Sequence, residues 1–289
     1  MSLNKNKISS ILFIFPSLLI TTLLFIVPIF YAVYISLHSG NLQDLEFVAL
    51  DNYRRLFIDQ TYKKTWINSL QFVAIIIPLM FIVSVLIAVA LHQIKSNRIK
   101  SLVSSIFYLP CITSPVAYTL FYKQLAYSDG ILSKIITSLG IVQEGFNILQ
   151  NEITSKIYIS LICVWAWSGF YIIIIYSAIE RVDGNLYVAA RLDGANTFNI
   201  YRKIILPIIR PVLLLVIALS ICSTFQIYIE VALITKGGPN ESTYTLALYL
   251  YRKVFTYVSN YGYSSAIGIT ILIINTIFSI IVFKVRERE

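Results

Sequence analysis

Residues 66–93 read WINSLQFVAIIIPLMFIVSVLIAVALHQ, a stretch without a single Asp, Glu, Lys or Arg. A helix half-buried in a soluble core would show a polar stripe every third or fourth residue, and this one shows none. About 20 apolar residues at 1.5 Å each cross a hydrocarbon layer roughly 30 Å thick. Inside that layer every backbone N–H and C=O must be paired within the segment, which makes the segment a helix. Comparable apolar runs occupy 8–37, 101–127, 156–179, 208–229 and 263–285. The whole chain of 289 residues is 57% hydrophobic and 13% charged, against about 25% charged in soluble domains. The expected fold is therefore all-α: a polytopic membrane protein with six transmembrane helices. The first run is about twice the length of a signal-peptide core and is read as a retained span.

The net charge of +9 does not point to nucleic acid, because the basic residues are scattered through short loops rather than gathered in a stripe. Topology explains them. Of the 23 Lys and Arg, thirteen fall on the side that carries both termini, including Lys5, Lys7, Lys95, Arg98, Lys100, Arg286 and Arg288; ten are spread over longer loops on the other side. The denser side is cytoplasmic, so both termini and the loop around residues 180–211 face the cytoplasm. Cys111, Cys163 and Cys222 sit inside apolar runs without metal-ligand spacing and read as packing residues. His38 and His92 stand alone near span ends and read as interfacial side chains. Pro16 and Pro28 should bend the first span. Leu109-Pro110 and Ser114-Pro115 should break or kink the third.

Residues 186–212, LYVAARLDGANTFNIYRKIILPIIRPV, lie between two spans but keep helical periodicity. Asn185 is placed to cap a first short helix through Leu192, with Gly194 in the left-handed position that ends it. Asn196 or Thr197 starts a second helix, until Pro207 and Pro211 break or kink it. A helical hairpin with apolar residues on a membrane face calls for a partner to cover it.

Ala189-Ala190, Asp193-Gly194-Ala195 and Leu206-Pro207 resemble the "EAA" loop of permease subunits in binding-protein-dependent ABC importers. Leu109-Pro110 through Ser114-Pro115-Val116-Ala117, and Lys236-Gly237-Gly238-Pro239 with Ser242-Thr243, are similar to the carbohydrate branch of that family. The resemblance implies a single permease domain over 1–289, like a type I ABC importer permease. Its core would be 66–285, its cytoplasmic coupling loop 180–211, and 1–65 would hold the first span and an extracytoplasmic segment. It also implies that Val188, Ala189, Ala190, Asp193, Gly194, Ala195, Leu206 and Pro207 contact an ATPase subunit. Val188 stands where the family usually has the Glu that names the motif, which removes the ionic part of that contact. The implied partners are a second homologous permease subunit, two ATPase subunits, an extracytoplasmic solute-binding protein and membrane lipid, in the cell membrane of a prokaryote. No cofactor is expected on this chain; ATP and Mg would be bound by the partner ATPase.

The residues agree with that division of labour. No Gly-x-x-x-x-Gly-Lys-Ser/Thr loop is present to cradle ATP phosphates. The spans also hold no cluster of ionisable residues of the kind expected in a secondary transporter or a membrane-embedded enzyme. Their polar content is hydroxyls, amides and aromatic rings, which suits a neutral hydroxylated solute such as a sugar, with glycerol phosphate as an alternative. Ser220, Thr224 and Tyr228 are four residues apart on the fifth span, as are Trp167 and Tyr171 on the fourth; these five form the candidate substrate path. Val216 and Leu219 fall on the opposite face. Glu230 reads as a solvated carboxylate at the outer end of the fifth span.

Overall fold

The computed structural model of the protein describes residues 13–41, 44–127, 129–140, 143, 145–256 and 260–287. Lys5, Lys7 and Arg288, counted above for orientation, lie outside the described residues. In chain order the elements are α1 (Phe13–Ser36), β1 (His38–Asn41), β2 (Asp44–Phe47), α2 (Asp51–Ile58), α3 (Gln60–Gln93), α4 (Asn97–Ile112), α5 (Pro115–Ala126), α6 (Ile131–Ser138), α7 (Glu152–Glu180), α8 (Gly184–Leu192), α9 (Thr197–Ile200), α10 (Arg210–Phe225), α11 (Ile229–Ile234), α12 (Leu246–Phe255) and α13 (Tyr261–Glu287). Among the described residues, α1, α3, α7, α10 with α11, and α13 are long and apolar enough to cross a membrane. The sixth span is bent: α4 and the stretch Pro115–Ser138 meet at 95°.

The prolines act through specific local devices. Pro110 stays inside α4, and the break falls at Thr113 and Ser114, both extended, so that Pro115 opens α5 at a position where its missing N–H costs nothing. Pro28 and Pro207 each follow a π-helical turn. Thr22–Ile26 ends with Val27 N–H bonded to Thr22 O, and Tyr201–Ile205 ends with Leu206 N–H bonded to Tyr201 O. The wider turn gives each ring room beside the carbonyl four residues back, so the helix passes the proline instead of stopping there. Past Pro207 it continues to Ile208 and breaks at Ile209; Pro211 then sits in the first turn of α10. The second helix of the cytoplasmic hairpin is thus widened before Pro207 and broken between Pro207 and Pro211, in line with the expected break or kink. The second span also begins at Gln60 rather than Trp66, because the polar turn ahead of it is helical too.

The chain forms two compact units. In the first, Met1–Gln60 with Leu250–Ile273, the polar segment after α1 folds into the antiparallel β1–β2 hairpin, with His38 opposite Phe47 and Asn41 opposite Asp44. Nothing in an all-helical reading anticipated it. Its anchor is Asn52 on α2, fully buried, whose Nδ2 donates to Ser36 O at 2.9 Å and His38 O at 2.7 Å. One carbonyl left open at the end of α1, Ser36 O, and the first carbonyl of β1, His38 O, are thereby satisfied. His38 is buried, and its Nδ1 lies 2.8 Å from Tyr34 O. At the start of α13, a Cβ on Gly262 would stand 1.6 Å from His38 O, so only glycine permits this approach.

The second unit is Thr61–Tyr249 with Ile274–Glu289. Here α7 is the central helix, with Ile159, Ile162, Cys163, Ile172, Ile175 and Ile179 buried along it. It packs closely on α4. A Cβ on Gly169 would meet Phe107 O at 2.1 Å, and Cys111 Sγ donates to Ala166 O at 3.1 Å. Membrane helices draw together through small residues in this way, since lipid tails offer no hydrophobic drive between them. α5 packs on α11, and Lys123 Nζ donates to Leu233 O at 2.7 Å. The turn cluster expected at 235–240 is present, with Lys236, Gly237, Asn240 and Glu241 at positive φ. Asn68 on α3 holds it by donating to Glu241 O at 2.7 Å and Tyr244 O at 3.0 Å.

Candidate functional site

Where α10 stops, the second unit opens a cavity of about 500 Å³ between α4, α5, α7 and the α10–α11 break. The break itself is local. Gln226 N–H bonds to Ser223 O, Tyr228 takes φ −139° and ψ −36°, and α11 starts at Ile229. Broken helices of this kind place irregular backbone where it borders a cavity rather than lipid. Aromatic faces come from Tyr108, Trp167, Phe170, Tyr171 and Tyr228, and neutral polar groups from Ser223 and Gln226. Tyr171 OH and Ser223 Oγ are 3.3 Å apart across the α7–α10 contact. Rings that can lie against the apolar face of a solute, with hydroxyl and amide groups at their edges, suit an uncharged polyhydroxylated molecule.

Of the five path residues named from the sequence, Trp167, Tyr171 and Tyr228 line this cavity, and Ser220 and Thr224 do not. Both hydroxyls turn back onto their own helix, Ser220 Oγ to Ile217 O at 2.9 Å and Thr224 Oγ1 to Ser220 O at 2.7 Å, and both side chains are buried. The cavity face of α10 is instead Leu219, Ser223 and Gln226, about one residue around the helix. Leu219, placed on the opposite face by the sequence reading, belongs to the cavity, while Val216 is a buried packing residue. Glu230 departs further from expectation. It is 4% exposed rather than solvated, lines the cavity, and accepts a hydrogen bond from Tyr118 OH at 2.5 Å. Its neighbours Tyr228 and Val231 carried no signal in the sequence that it would be buried.

The hairpin after α7 is built by caps. Asp183, not Asn185, caps α8: its Oδ1 accepts from Asn185 N–H at 2.9 Å. The cap lies two residues earlier than expected because Gly184 and Asn185 already belong to the helix. α8 closes through Ala195 N–H to Ala190 O at 2.9 Å with Gly194 at φ +80°, and Asn196 Oδ1 caps α9 through Asn199 N–H at 2.8 Å. Ala190, Ile200, Tyr201 and Ile205 point inward. Val188, Leu192 and Phe198 are exposed, at 58%, 84% and 67%, and with exposed Ala189, Asp193, Gly194 and Pro207 they form the outer surface. Ala195 and Leu206 are half-buried.

Tyr201 OH and His92 Nδ1 are hydrogen-bonded at 2.6 Å, and the Tyr187 ring lies 5.2 Å from that of His92, tying the end of α3 to the hairpin. Burial pushes the Tyr187 phenol up to about 12 and raises that of Tyr201. Beside them, Lys100 Nζ and Tyr176 OH donate to Glu180 Oε1 at 3.0 and 2.5 Å, joining the starting turn of α4 to the last turn of α7. No group of His, Cys, Asp and Glu able to hold a metal occurs among the described residues.

The chain belongs to the family of binding-protein-dependent transport system inner membrane components, whose model matches residues 63–288. It is 28% identical over 281 residues to the lactose transport system permease protein LacF of Rhizobium radiobacter, covering 96% of this chain and 94% of that one. The arabinooligosaccharides transport system permease protein AraP of Bacillus subtilis is 28% identical over 283 residues, covering 97% and 89%. Among solved structures, a chain of the bacterial alginate ABC transporter in complex with an alginate pentasaccharide-bound periplasmic protein superposes with a TM-score of 0.80 at 20% identity, over 96% of this chain and 94% of that chain. At that identity the superposition speaks for the fold.

Proposed function

We propose, from membership of this family, that the chain is the membrane-spanning permease subunit of an ATP-driven importer that moves a sugar into the cytoplasm by alternating access. The observation that carries the substrate class is the cavity at the α10–α11 break, where aromatic faces and neutral hydrogen-bonding groups converge on a volume sized for a small saccharide. The named relatives act on lactose and arabinooligosaccharides, which supports the same class here. The partners would be a second permease, two ATPase subunits that hold ATP and Mg, and a solute-binding protein that delivers the sugar from outside. The α8–α9 hairpin, with Val188, Ala189, Asp193, Gly194, Ala195, Leu206 and Pro207, would seat in the ATPase, and Ala190, buried beneath them, would pack the hairpin from inside. ATP closure would then draw the hairpins together and open the cavity outward.

The cavity is tested by labelling. In a chain lacking Cys111, Cys163 and Cys222, a Ser223→Cys thiol should react with a polar maleimide, and a transported saccharide should protect it. A thiol equally reactive with and without every neutral disaccharide that the cells import would move the substrate path elsewhere. In the same complex, Trp167→Ala or Tyr228→Ala should lower uptake about three- to tenfold by removing stacking surface worth roughly 0.5–1.5 kcal/mol. Subunit association and basal ATP hydrolysis should stay near wild type.

The hairpin contact should be apolar at position 188, since Val188 is exposed beside Leu192 and Phe198. Raising salt from 0.1 to 1 M should leave the purified complex largely assembled, because screening acts on ion pairs and not on apolar contact. Val188→Glu should not tighten it. Marked dissociation in high salt, or tighter assembly of the Glu variant, would show an ionic site at this position.

A further inference from the structure

We propose that Glu230, held by Tyr118, sorts saccharides by charge in the cavity, favouring neutral or amine-bearing sugars and rejecting acidic ones. This rests on the reading of the cavity as a saccharide site. Among the described residues, Glu230 is the only charged residue lining it. The side chain is 4% exposed, and its Oε1 accepts from Tyr118 OH at 2.5 Å. The other oxygen has no donor among the described residues, and the ion pairs there, Lys64–Glu241 and Lys100–Glu180, leave Glu230 without a cation. Lys123, on the same helix as Tyr118, is turned to the Leu233 carbonyl.

A carboxylate withdrawn from water without a counter-ion is costly to keep, and helix packing does not require one. Tyr118 supplies part of the lost solvation and fixes one oxygen, which leaves the second as an acceptor toward the cavity. That acceptor matches the hydroxyls of a neutral sugar or an ammonium group. A uronate carboxylate brought to the same place would meet a like charge in a site of low dielectric. Gln226 and Ser223, the other polar groups on the α10 side, are neutral and leave that repulsion unrelieved.

The purified complex, without its solute-binding protein, would be titrated with three probes at pH 7 and read by tryptophan fluorescence: maltose, a glucosamine disaccharide and a uronic acid disaccharide. The wild type should bind the amine and the neutral sugar at least tenfold more tightly than the uronate. This ranking requires no variant. Glu230→Gln keeps the size and hydrogen bonding of the side chain and should compress the three affinities to within about threefold. Tyr118→Phe should weaken the neutral sugar while the uronate stays excluded. Equal binding of all three probes by the wild type, or an unchanged ranking in Glu230→Gln, overturns charge selection and leaves the saccharide reading standing. Binding of none of the three overturns both.

Discussion

Gly169→Val is expected to leave little folded protein in the membrane. The substituted Cβ would sit 2.1 Å from Phe107 O, 2.7 Å from Phe107 C and 2.9 Å from Tyr108 Cα, all backbone atoms of α4. No side-chain rotation relieves such a clash, so α4 and α7 must separate. Overpacking a tight contact costs about 1–3 kcal/mol, and here the whole helix pair would lose contact as well. The same separation would distort the cavity, because Tyr108 and Cys111 reach it from α4 and Trp167 and Tyr171 from α7. Even Gly169→Ala should lower the thermal midpoint of the detergent-purified complex by several degrees and reduce its yield. A Gly169→Ala complex with unchanged midpoint and uptake would show that the two helices are not in this contact in the assembled transporter.

Gly194→Val should uncouple transport while leaving the spans folded. Gly194 has φ +80°, and a Cβ there would meet nothing within 4 Å, so the penalty is conformational and not steric crowding by neighbours. A left-handed residue other than glycine costs roughly 1–2 kcal/mol, and a β-branched one is worse. The turn would open, the Ala195 N–H to Ala190 O bond would be lost, and the exposed face built by Val188, Leu192 and Phe198 would no longer be presented as one surface. Asn tolerates this conformation, so Gly194→Asn should keep most activity. The measurement is ATP hydrolysis and uptake by complexes purified through a tag on this chain. If Val and Asn behave alike, the backbone conformation at this position is not what the proposed ATPase contact depends on.

The existence of the spans and the turn of the hairpin could be read from the sequence because both depend on local or averaged properties. An uncharged run of this length has one stable solution in lipid, and Asp193-Gly194 followed by Asn196 fixes a helix end and a helix start with little help from distant residues. The face of α10 that lines the cavity is a different kind of property. Serine and threonine in a membrane helix can satisfy their hydroxyls on a carbonyl three or four residues back, so polarity alone does not say which way they face. Ser220, Ser223 and Thr224 all do this, yet only Ser223, with Leu219, borders the cavity.

Glu230 shows the same limit from the other side. By position it ends an apolar span and should be solvated, and only the packing of α5 on α11 brings the Tyr118 hydroxyl over it and buries it. The β1–β2 hairpin likewise depends on Asn52, whose two hydrogen bonds join the end of α1 to His38 from 14 and 16 residues away. The sequence by itself determined the class of solvent, the all-helical spanning segments and the local form of the cytoplasmic hairpin, since each follows from contacts within a few turns of chain. Which side chains meet in the cavity was decided by the tertiary structure, because helical phase and carboxylate burial are set by neighbours that the linear pattern does not contain.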